Sequence, residues 1–565
     1  MTENGTGPGD DNVLQRYFRQ FSAFKQTQAD GPAHPAGGRL RWIISGHNSG
    51  PLSFAISRDI ILRLLGVVYL VAFLSFFQQH EALVGENGIL PAVSFLDRAE
   101  AHLGSDGWTQ LPTLQWWWRS DACLHTTCVT GMIAAALLIV GVLPLPCLLL
   151  LWGGYLTLVA AGQVFLGYQW DALLLESGLL AIFLAPPGLR LRGGPHPPAR
   201  APVILLWWLV FRLMFGSGLV KLASNDATWW SFTALDYHFW TQPLPTWTSW
   251  HAAQLPTWAL KSATWATLFI ELVVPFFIFL GRRLRVVACI IFLVLQVLIT
   301  STGNFTFFNL LSATLCLSLL DDACWRALFQ RPPPEKAKAN EDLADALIWA
   351  RRGYRALISA LAVLLFLVGL NVVHGQWISL RRTLMLRSER PLPDPPTTPI
   401  AQGVVDATAP LLGPLRAVNR YGLFASMTTQ RPEIVIEGTS DGQTWHAYTF
   451  PWKPTDLDRK PRFVAPFQPR VDWQLWFAAL GDYRRNVWFV ELTRHLLLGT
   501  PEVLRVVEGN PFPDAPPAAI RATVYMYRFT TPEERAETGD WWTRELRGPY
   551  LPRPITLDDF PTRSE

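Results

Sequence analysis

The sequence predicts an α-helical polytopic membrane bundle of about eight or nine spans, followed by a β-rich soluble domain at its C-terminal end. Three observations predict this fold class. Half of the 565 residues are hydrophobic and only 16% are charged, whereas soluble domains carry about a quarter charged residues. Long apolar segments recur between residues 60 and 373. Beyond residue 400 these segments give way to strand-like alternation.

Nine apolar segments approach or reach the roughly 20 residues that a helix needs to cross the hydrocarbon core. They are Ile60–Phe77, Ala122–Leu143, Leu145–Phe165, Leu173–Ala185, Val203–Lys221, Trp258–Leu280, Val286–Thr300, Phe305–Leu320 and Tyr354–Val373. Leu173–Ala185 is short, so we expect it to be tilted, re-entrant or continuous with the preceding turn. Pro144 and Pro146 divide what would otherwise be one very long helix, because proline lacks the backbone donor and clashes with the preceding turn.

Basic residues predict the orientation of the bundle, because Lys and Arg are enriched in cytoplasmic loops. They cluster before the first segment, after the fourth, after the sixth and between residues 321 and 353. With nine spans and a cytoplasmic N-terminus, all four clusters lie on the cytoplasmic side. The chain after residue 375 then lies on the other side.

Composition along the chain predicts four parts. Residues 1–55 form a polar leader that is partly disordered, and residues 56–375 form the transmembrane helical bundle. Residues 376–400 are a linker containing the run Pro391–Pro396, and residues 401–565 form a β-rich extracytoplasmic domain. In that domain Glu433–Glu437 alternates like a strand and Asp441-Gly442 suits a hairpin turn. The segments Trp473–Leu480 and Val487–Leu498 fit amphipathic helices, and Ala519–Phe529 fits a final strand.

The cysteines and the net charge limit the functional classes. All six cysteines lie in or beside apolar segments. Cys123 and Cys128 are close enough for a disulfide, but free cysteines are commonly buried, so both states stay open. A net charge of only +4 argues against a nucleic-acid partner. No spacing of residues indicates a metal site, a phosphate loop or a nucleophile elbow.

Charged residues inside the apolar segments are the candidate functional residues, because charges in a bilayer are costly and often mark function. Glu176, Arg212 and Glu271 lie within segments. We expect Arg212 to pair with Glu271 or Glu176, which would hold helices together. Alternatively, these charges line a functional cavity.

A second set of polar residues shares one depth at the outer end of the bundle: Asp171, Lys221, Asp236 and His238. We expect these four to converge into the main polar pocket of the bundle. If they do not, Lys221 is expected to extend its ammonium group to water, as lysines near helix ends do.

Several longer motifs occur together in both halves of the chain. They are Gln169–Glu176, Arg212–Lys221, Leu235–His238, Thr241–Pro245, Phe269–Phe277, Gly303–Asn309, Asn419–Phe424, Val471–Ala479 and Asn510–Phe512. In this order and combination the sequence resembles the lipase maturation factor family over residues 55–550.

The resemblance implies a chaperone-like factor rather than an enzyme. Family members reside in the endoplasmic reticulum membrane and help homodimeric lipases to fold and assemble, so secreted lipases or similar proteins are the expected clients, with membrane lipid around the bundle. The family's tail contacts clients, which makes Trp473, Trp476 and Phe477 the client-facing candidates. The composition is similar to that of a high-GC bacterium, in which case the membrane is the bacterial cytoplasmic one. No cofactor is expected, although a bound lipid or quinone stays open.

A shorter resemblance offers an alternative. Gly218–Leu222, ahead of a Trp-containing outer loop, is similar to the membrane module of vitamin K-dependent γ-glutamyl carboxylases. In that family a lysine at the position of Lys221 is the base that acts on reduced vitamin K. This alternative implies a catalytic Lys221 at the end of a quinone-sized cavity.

Overall fold

The computed structural model describes residues 53–186, 188–191, 197–329, 345–388 and 402–560. The predicted leader up to residue 52 and the run Pro391–Pro396 lie outside the described residues. Much of the basic stretch between residues 321 and 353 also lies outside them.

A helix occupies each of the nine predicted segments. The nine helices are α1 (Ala55–Phe77), α2 (Asp121–Val140), α3 (Pro144–Ala161), α4 (Gln169–Leu184), α5 (Arg200–Ala223), α6 (Thr257–Leu272), α7 (Arg282–Thr302), α8 (Phe308–Cys316) and α9 (Asp345–Arg387). Shorter helices connect them at Ala92–Leu103, Ala227–Trp230, Ala234–Thr241, Trp247–Ala253 and Asp322–Phe329, among others.

Six of these helices are long and apolar enough to cross a membrane: α1, α2, α3, α5, α7 and α9. The other three are shorter. Helices α4 and α6 have 16 residues each and α8 has nine. A 16-residue helix rises about 24 Å, somewhat less than the hydrocarbon thickness of about 30 Å. The chain is therefore a multi-pass helical membrane module by length and composition.

Proline and glycine end helices where the sequence predicts a break. Helix α2 ends at Val140, the following Gly141 has a left-handed φ of 87°, and α3 starts at Pro144. Proline is well tolerated there, because the first residue of a helix has no intrahelical partner for its N–H. The break predicted at Pro144 is thus confirmed. Helix α6 ends at Leu272, and a 3₁₀ turn containing Pro275 follows it, so the predicted Trp258–Leu280 segment is not one continuous helix.

Close packing holds the last helix against the charged centre of the bundle. Helix α9 packs along α5, and Gly369 of α9 faces the side chains of Trp208 and Arg212. A Cβ atom at Gly369 would lie 2.5 Å from Trp208 Nε1 and 3.0 Å from Arg212 Nε. Any larger residue would therefore displace the Trp208 and Arg212 side chains or the helices that carry them.

The C-terminal domain contains an antiparallel sheet of four strands in the order β2-β1-β3-β4. The strands are β1 (Arg431–Thr439), β2 (His446–Ala447), β3 (Ala519–Phe529) and β4 (Trp542–Pro549). Gly442, with a φ of 72°, lies in the predicted turn between β1 and β2. Helices α10 (Arg470–Ala479) and α11 (Val487–Leu498) follow the hairpin, and short helices cover Pro501–Leu504 and Pro532–Thr538.

The domain combines its sheet with the two predicted helices. Two details of the prediction are wrong. Ala519–Phe529 is not the final strand, since β4 follows it. Residues 376–387 are the continuation of α9 and not part of a linker.

The tail packs directly against one end of the membrane module. One hydrophobic cluster includes Phe76 and Phe165 of the module together with Leu475 and Trp488 of the tail. The rings of Phe165 and Trp488 lie edge to face with centroids 6.1 Å apart. The two modules therefore share a core.

Candidate functional site

Arg212 and Glu176 form a buried ion pair between α5 and α4. Their side chains are only 3% and 2% exposed, so each would be costly to bury alone. The carboxylate of Glu176 also accepts hydrogen bonds from the backbone N–H of Asn419 at 2.9 Å and from the Tyr421 hydroxyl at 2.7 Å. Arg212 Nη1 donates to the Asn419 carbonyl at 3.0 Å. The pair therefore holds the first residues of the tail.

The same short tail segment has further partners in the bundle. Gln169 of α4 donates to the Gly422 carbonyl at 3.3 Å and accepts from the Gly422 N–H at 2.9 Å. Gln376 of α9 donates to the Tyr421 carbonyl at 2.8 Å. Backbone and side chains of residues 419–422 thus bond to three different helices.

Glu271 has a different partner from Arg212. Its carboxylate oxygens each lie 2.9 Å from Lys221 Nζ. The side chains of Lys221 and Glu271 are 5% and 10% exposed, and the ammonium lies 5.3 Å from the centre of the Trp229 ring. The expectation that Lys221 extends to water is wrong, because a buried carboxylate on the neighbouring helix compensates its charge.

Asp171 is fully buried and lies at the interface between the bundle and the tail. Its Oδ1 accepts a hydrogen bond from the Tyr155 hydroxyl at 2.5 Å and lies 3.5 Å from Arg470 Nη2 of the tail. Arg470 also donates to the Phe165 carbonyl. The Arg470 side chain is 0% exposed, so this guanidinium of the tail is buried in the end of the bundle.

Asp236 and His238 lie on the short helix Ala234–Thr241 between α5 and α6. The His238 ring packs edge to face against Phe424 at 4.8 Å. Burial and the nearby Lys221 lower the pKa of His238 to about 4, so its imidazole is neutral at pH 7. Asp236 is half-buried, and burial raises the pKa of its carboxyl although Lys261 opposes that shift.

The four residues predicted to form one outer pocket are therefore divided between separate clusters. Asp171 is with Arg470, Lys221 is with Glu271, and the charge that acts on Asp236 is that of Lys261. Lys221 is close enough to His238 to contribute to lowering the pKa of that imidazole. These residues have different partners, because sequence position indicates the depth of a residue in the bundle but not the direction in which it faces. The single polar pocket stays a prediction.

The expected client-facing residues point mostly toward the bundle. Trp473 is 3% exposed and its ring lies edge to face with Trp170 at 4.9 Å. Trp476 is 8% exposed and donates from Nε1 to the Thr241 carbonyl at 2.9 Å. Phe477 alone is 43% exposed. Trp473 and Trp476 thus anchor the tail, and of the three only Phe477 is available to a partner.

Arg431 of β1 is an anchor that the sequence analysis missed. Its guanidinium donates to the carbonyls of Trp240, Gln242 and Pro243, at 2.9 Å in the first and last case. Glu433, two residues along the same strand face, lies 2.7 Å from Arg431 and compensates its charge. A signal was present, because two opposite charges at i and i+2 on a buried strand must face the same neighbour.

Asn304 is a second missed anchor. Its amide group donates to the Arg462 carbonyl at 2.9 Å and accepts from the Val464 N–H at 2.8 Å. A side-chain amide can pair with an extended backbone in this way, as a neighbouring strand would. Asn304 lies inside the Gly303–Asn309 motif, so this motif also contacts the tail.

These contacts define what the polar residues can do chemically. Within the described ranges, each of the buried cations Arg212, Lys221, Arg431 and Arg470 faces a carboxylate. Cys123 and Cys128 are buried free thiols rather than a disulfide. The arrangement joins two modules and presents no nucleophile paired with a base among these residues. The alternative in which Lys221 acts as a base stays a prediction.

Known proteins match the chain in both modules. The model of the lipase maturation factor transmembrane domain matches residues 56–327, and that of the lipase maturation factor C-terminal domain matches residues 417–552. Mouse lipase maturation factor 1 is 33% identical over 535 residues, which cover 90% of this chain and 88% of the mouse protein. Human lipase maturation factor 2 is 34% identical, with 89% and 83% covered. No solved structure matches the chain.

Proposed function

The chain belongs to the lipase maturation factor family, and from that premise we propose that it assists the folding and assembly of secreted lipases or similar client proteins. It does so as a membrane-embedded maturation factor. The clients and the membrane are inferred from the relatives' names and the family's role. In a eukaryotic host the membrane is that of the endoplasmic reticulum, and in a bacterium it is the cytoplasmic one.

The interface between the two modules is the observation that supports this proposal. Hydrogen bonds and ion pairs join the two modules. On the membrane side they involve Asp171, the Glu176–Arg212 pair and Asn304, and on the tail side they involve Arg431 and Arg470. Buried, mutually compensated charges are poor catalysts, but they fix two bodies in one orientation. A tail fixed in this way offers a rigid surface close to the membrane, where a newly translocated client emerges.

We further propose that all nine helices are spans, with the N-terminus cytoplasmic and the C-terminus extracytoplasmic. The shorter α4, α6 and α8 then cross the bilayer with the help of adjoining turns. The basic clusters support this orientation through the enrichment of Lys and Arg in cytoplasmic loops. Reporter fusions after residue 388 test it, and a cytoplasmic signal there would contradict the odd number of spans.

Deletion of the gene from its host tests the proposed function. Secreted lipase activity should fall while pulse-labelled lipase synthesis stays unchanged, because the client is made but does not mature. Re-expression of the chain should restore activity. A variant with Glu533→Gln, which changes an exposed carboxylate of the tail, is the matched control. Unchanged activity of every secreted enzyme in the deletion strain would contradict the proposal.

A further inference from the structure

A cavity of about 230 Å³ lies where two spans and the tail meet. Phe77 is the last residue of α1, His125 lies in the first turns of α2, and Glu502 belongs to the short tail helix Pro501–Leu504. A single water needs roughly 10–15 Å³ of such space. The cavity is therefore large enough for a group of several heavy atoms.

The position of the cavity is that of lipid headgroups. Its floor is formed by the end of one span and the beginning of the next, which is where hydrocarbon gives way to water. His125 is exposed on α2, so the cavity is open on the side of this helix. Glu502 and Arg505 of the tail cover it from above.

The lining is rich in hydrogen-bond acceptors. Arg505 forms an ion pair with Glu81, whereas Glu502 has no ion-pair partner among the described residues. His80 is 3% exposed, and its Nδ1 is 2.7 Å from the Phe77 carbonyl, to which it donates. Burial lowers the pKa of His80, so its imidazole is neutral at pH 7. Its Nε2 is then an acceptor, and it has no partner within the described part of the chain.

We propose that this cavity binds the ethanolamine headgroup of a membrane phospholipid. The primary ammonium donates hydrogen bonds to Glu502 and His80, and the phosphate accepts from Arg505. Two carboxylates against one guanidinium favour a ligand whose innermost group is cationic. Choline has no N–H to donate, and a glycerol headgroup brings no cation to Glu502, so neither matches the lining. This site is independent of the proposed client function.

The test uses the full chain in lipid discs of phosphatidylethanolamine, phosphatidylcholine and phosphatidylglycerol in equal parts, followed by mass spectrometry of the intact protein with its retained lipid. Phosphatidylethanolamine should be retained in preference to the other two. Glu502→Gln should lower this retention about tenfold, the effect of losing one charge-assisted hydrogen bond. Glu533→Gln, which changes an exposed carboxylate away from the cavity, should leave it unchanged.

Equal retention of the three lipids by the wild type would overturn the proposal. So would a Glu502→Gln variant that retains as much phosphatidylethanolamine as the wild type. Free phosphoethanolamine, added to the protein in phosphatidylcholine discs, distinguishes a lipid from a soluble ligand. If the wild type shows no preference for phosphatidylethanolamine in the mixed discs, yet free phosphoethanolamine raises its thermal midpoint and not that of Glu502→Gln, the site belongs to the soluble compound and the lipid assignment fails.

Discussion

Replacing Glu176 by leucine should release the beginning of the tail from the membrane module. The substitution removes the buried carboxylate that compensates Arg212 and accepts hydrogen bonds from Asn419 and Tyr421. It leaves a guanidinium that is 3% exposed without its counter-charge. Breaking one partner of a buried pair costs about 3–5 kcal/mol, a large share of the roughly 5–15 kcal/mol by which proteins are stable.

The double variant Glu176→Leu with Arg212→Met separates the cost of the stranded charge from the loss of packing. Replacing both partners by apolar residues is often close to neutral, so the double variant should be more stable than Glu176→Leu alone. Glu491→Leu, which breaks a partly exposed pair with Arg494, is the control and should cost about 1 kcal/mol or less.

Hydrogen exchange of residues 417–424 in the purified full chain measures the effect. If local opening becomes easier by about 3–5 kcal/mol, protection of this segment falls by about two to four orders of magnitude. Unchanged protection in Glu176→Leu, or a double variant no more stable than the single one, would refute the idea that the pair holds the tail.

Three other predictions follow from the same contacts. Lys221→Met and Glu271→Leu should each lower the folded yield, whereas the double variant should recover both yield and client maturation; a folded but inactive double variant would instead favour a catalytic Lys221. Burial raises the pKa of Asp472 to about 6, above its usual value near 3.9, so the native state binds the extra proton and loses stability as pH rises from about 4 to 6. The thermal midpoint of Asp472→Asn relative to the wild type should therefore rise over that range, and a constant difference would contradict it. Trp473→Ala should destabilise the chain by about 3–5 kcal/mol, while Phe477→Ala should leave the thermal midpoint nearly unchanged, and equal shifts would show that both residues are core.

The helices and most tail elements could be predicted because their signals are local. Val487–Leu498 and Ala519–Phe529 begin and end as predicted, since apolar periodicity and strand alternation depend only on neighbouring residues. Strand β4 was missed because Arg544, Glu545 and Arg547 interrupt its alternation. Those residues are exposed at the edge of the sheet, where no buried face imposes a pattern.

The partners of the charged residues could not be predicted, because they depend on how helices rotate against one another. The sequence analysis left Arg212 between Glu176 and Glu271, and it is the former that lies opposite. It also gave Asp171 no partner in the tail, although Asp171 pairs with Arg470, which follows it by 299 positions. The motifs in the membrane module and in the tail suggested functional residues in both halves. They did not indicate that these residues contact each other.

The carboxylate of Glu176 binds both Arg212 of the bundle and Asn419 of the tail. The bundle is therefore complete only after the tail has been synthesised. Asn419, whose N–H bonds to Glu176, is added 243 residues after it. At roughly 5–20 residues per second, the ribosome takes on the order of ten seconds to a minute to cover that distance. During this interval one oxygen of the carboxylate lacks its final donors, so the membrane module reaches its finished state only when the tail arrives. A chain that stops before residue 417 is then an unfinished membrane protein, not simply one without a tail.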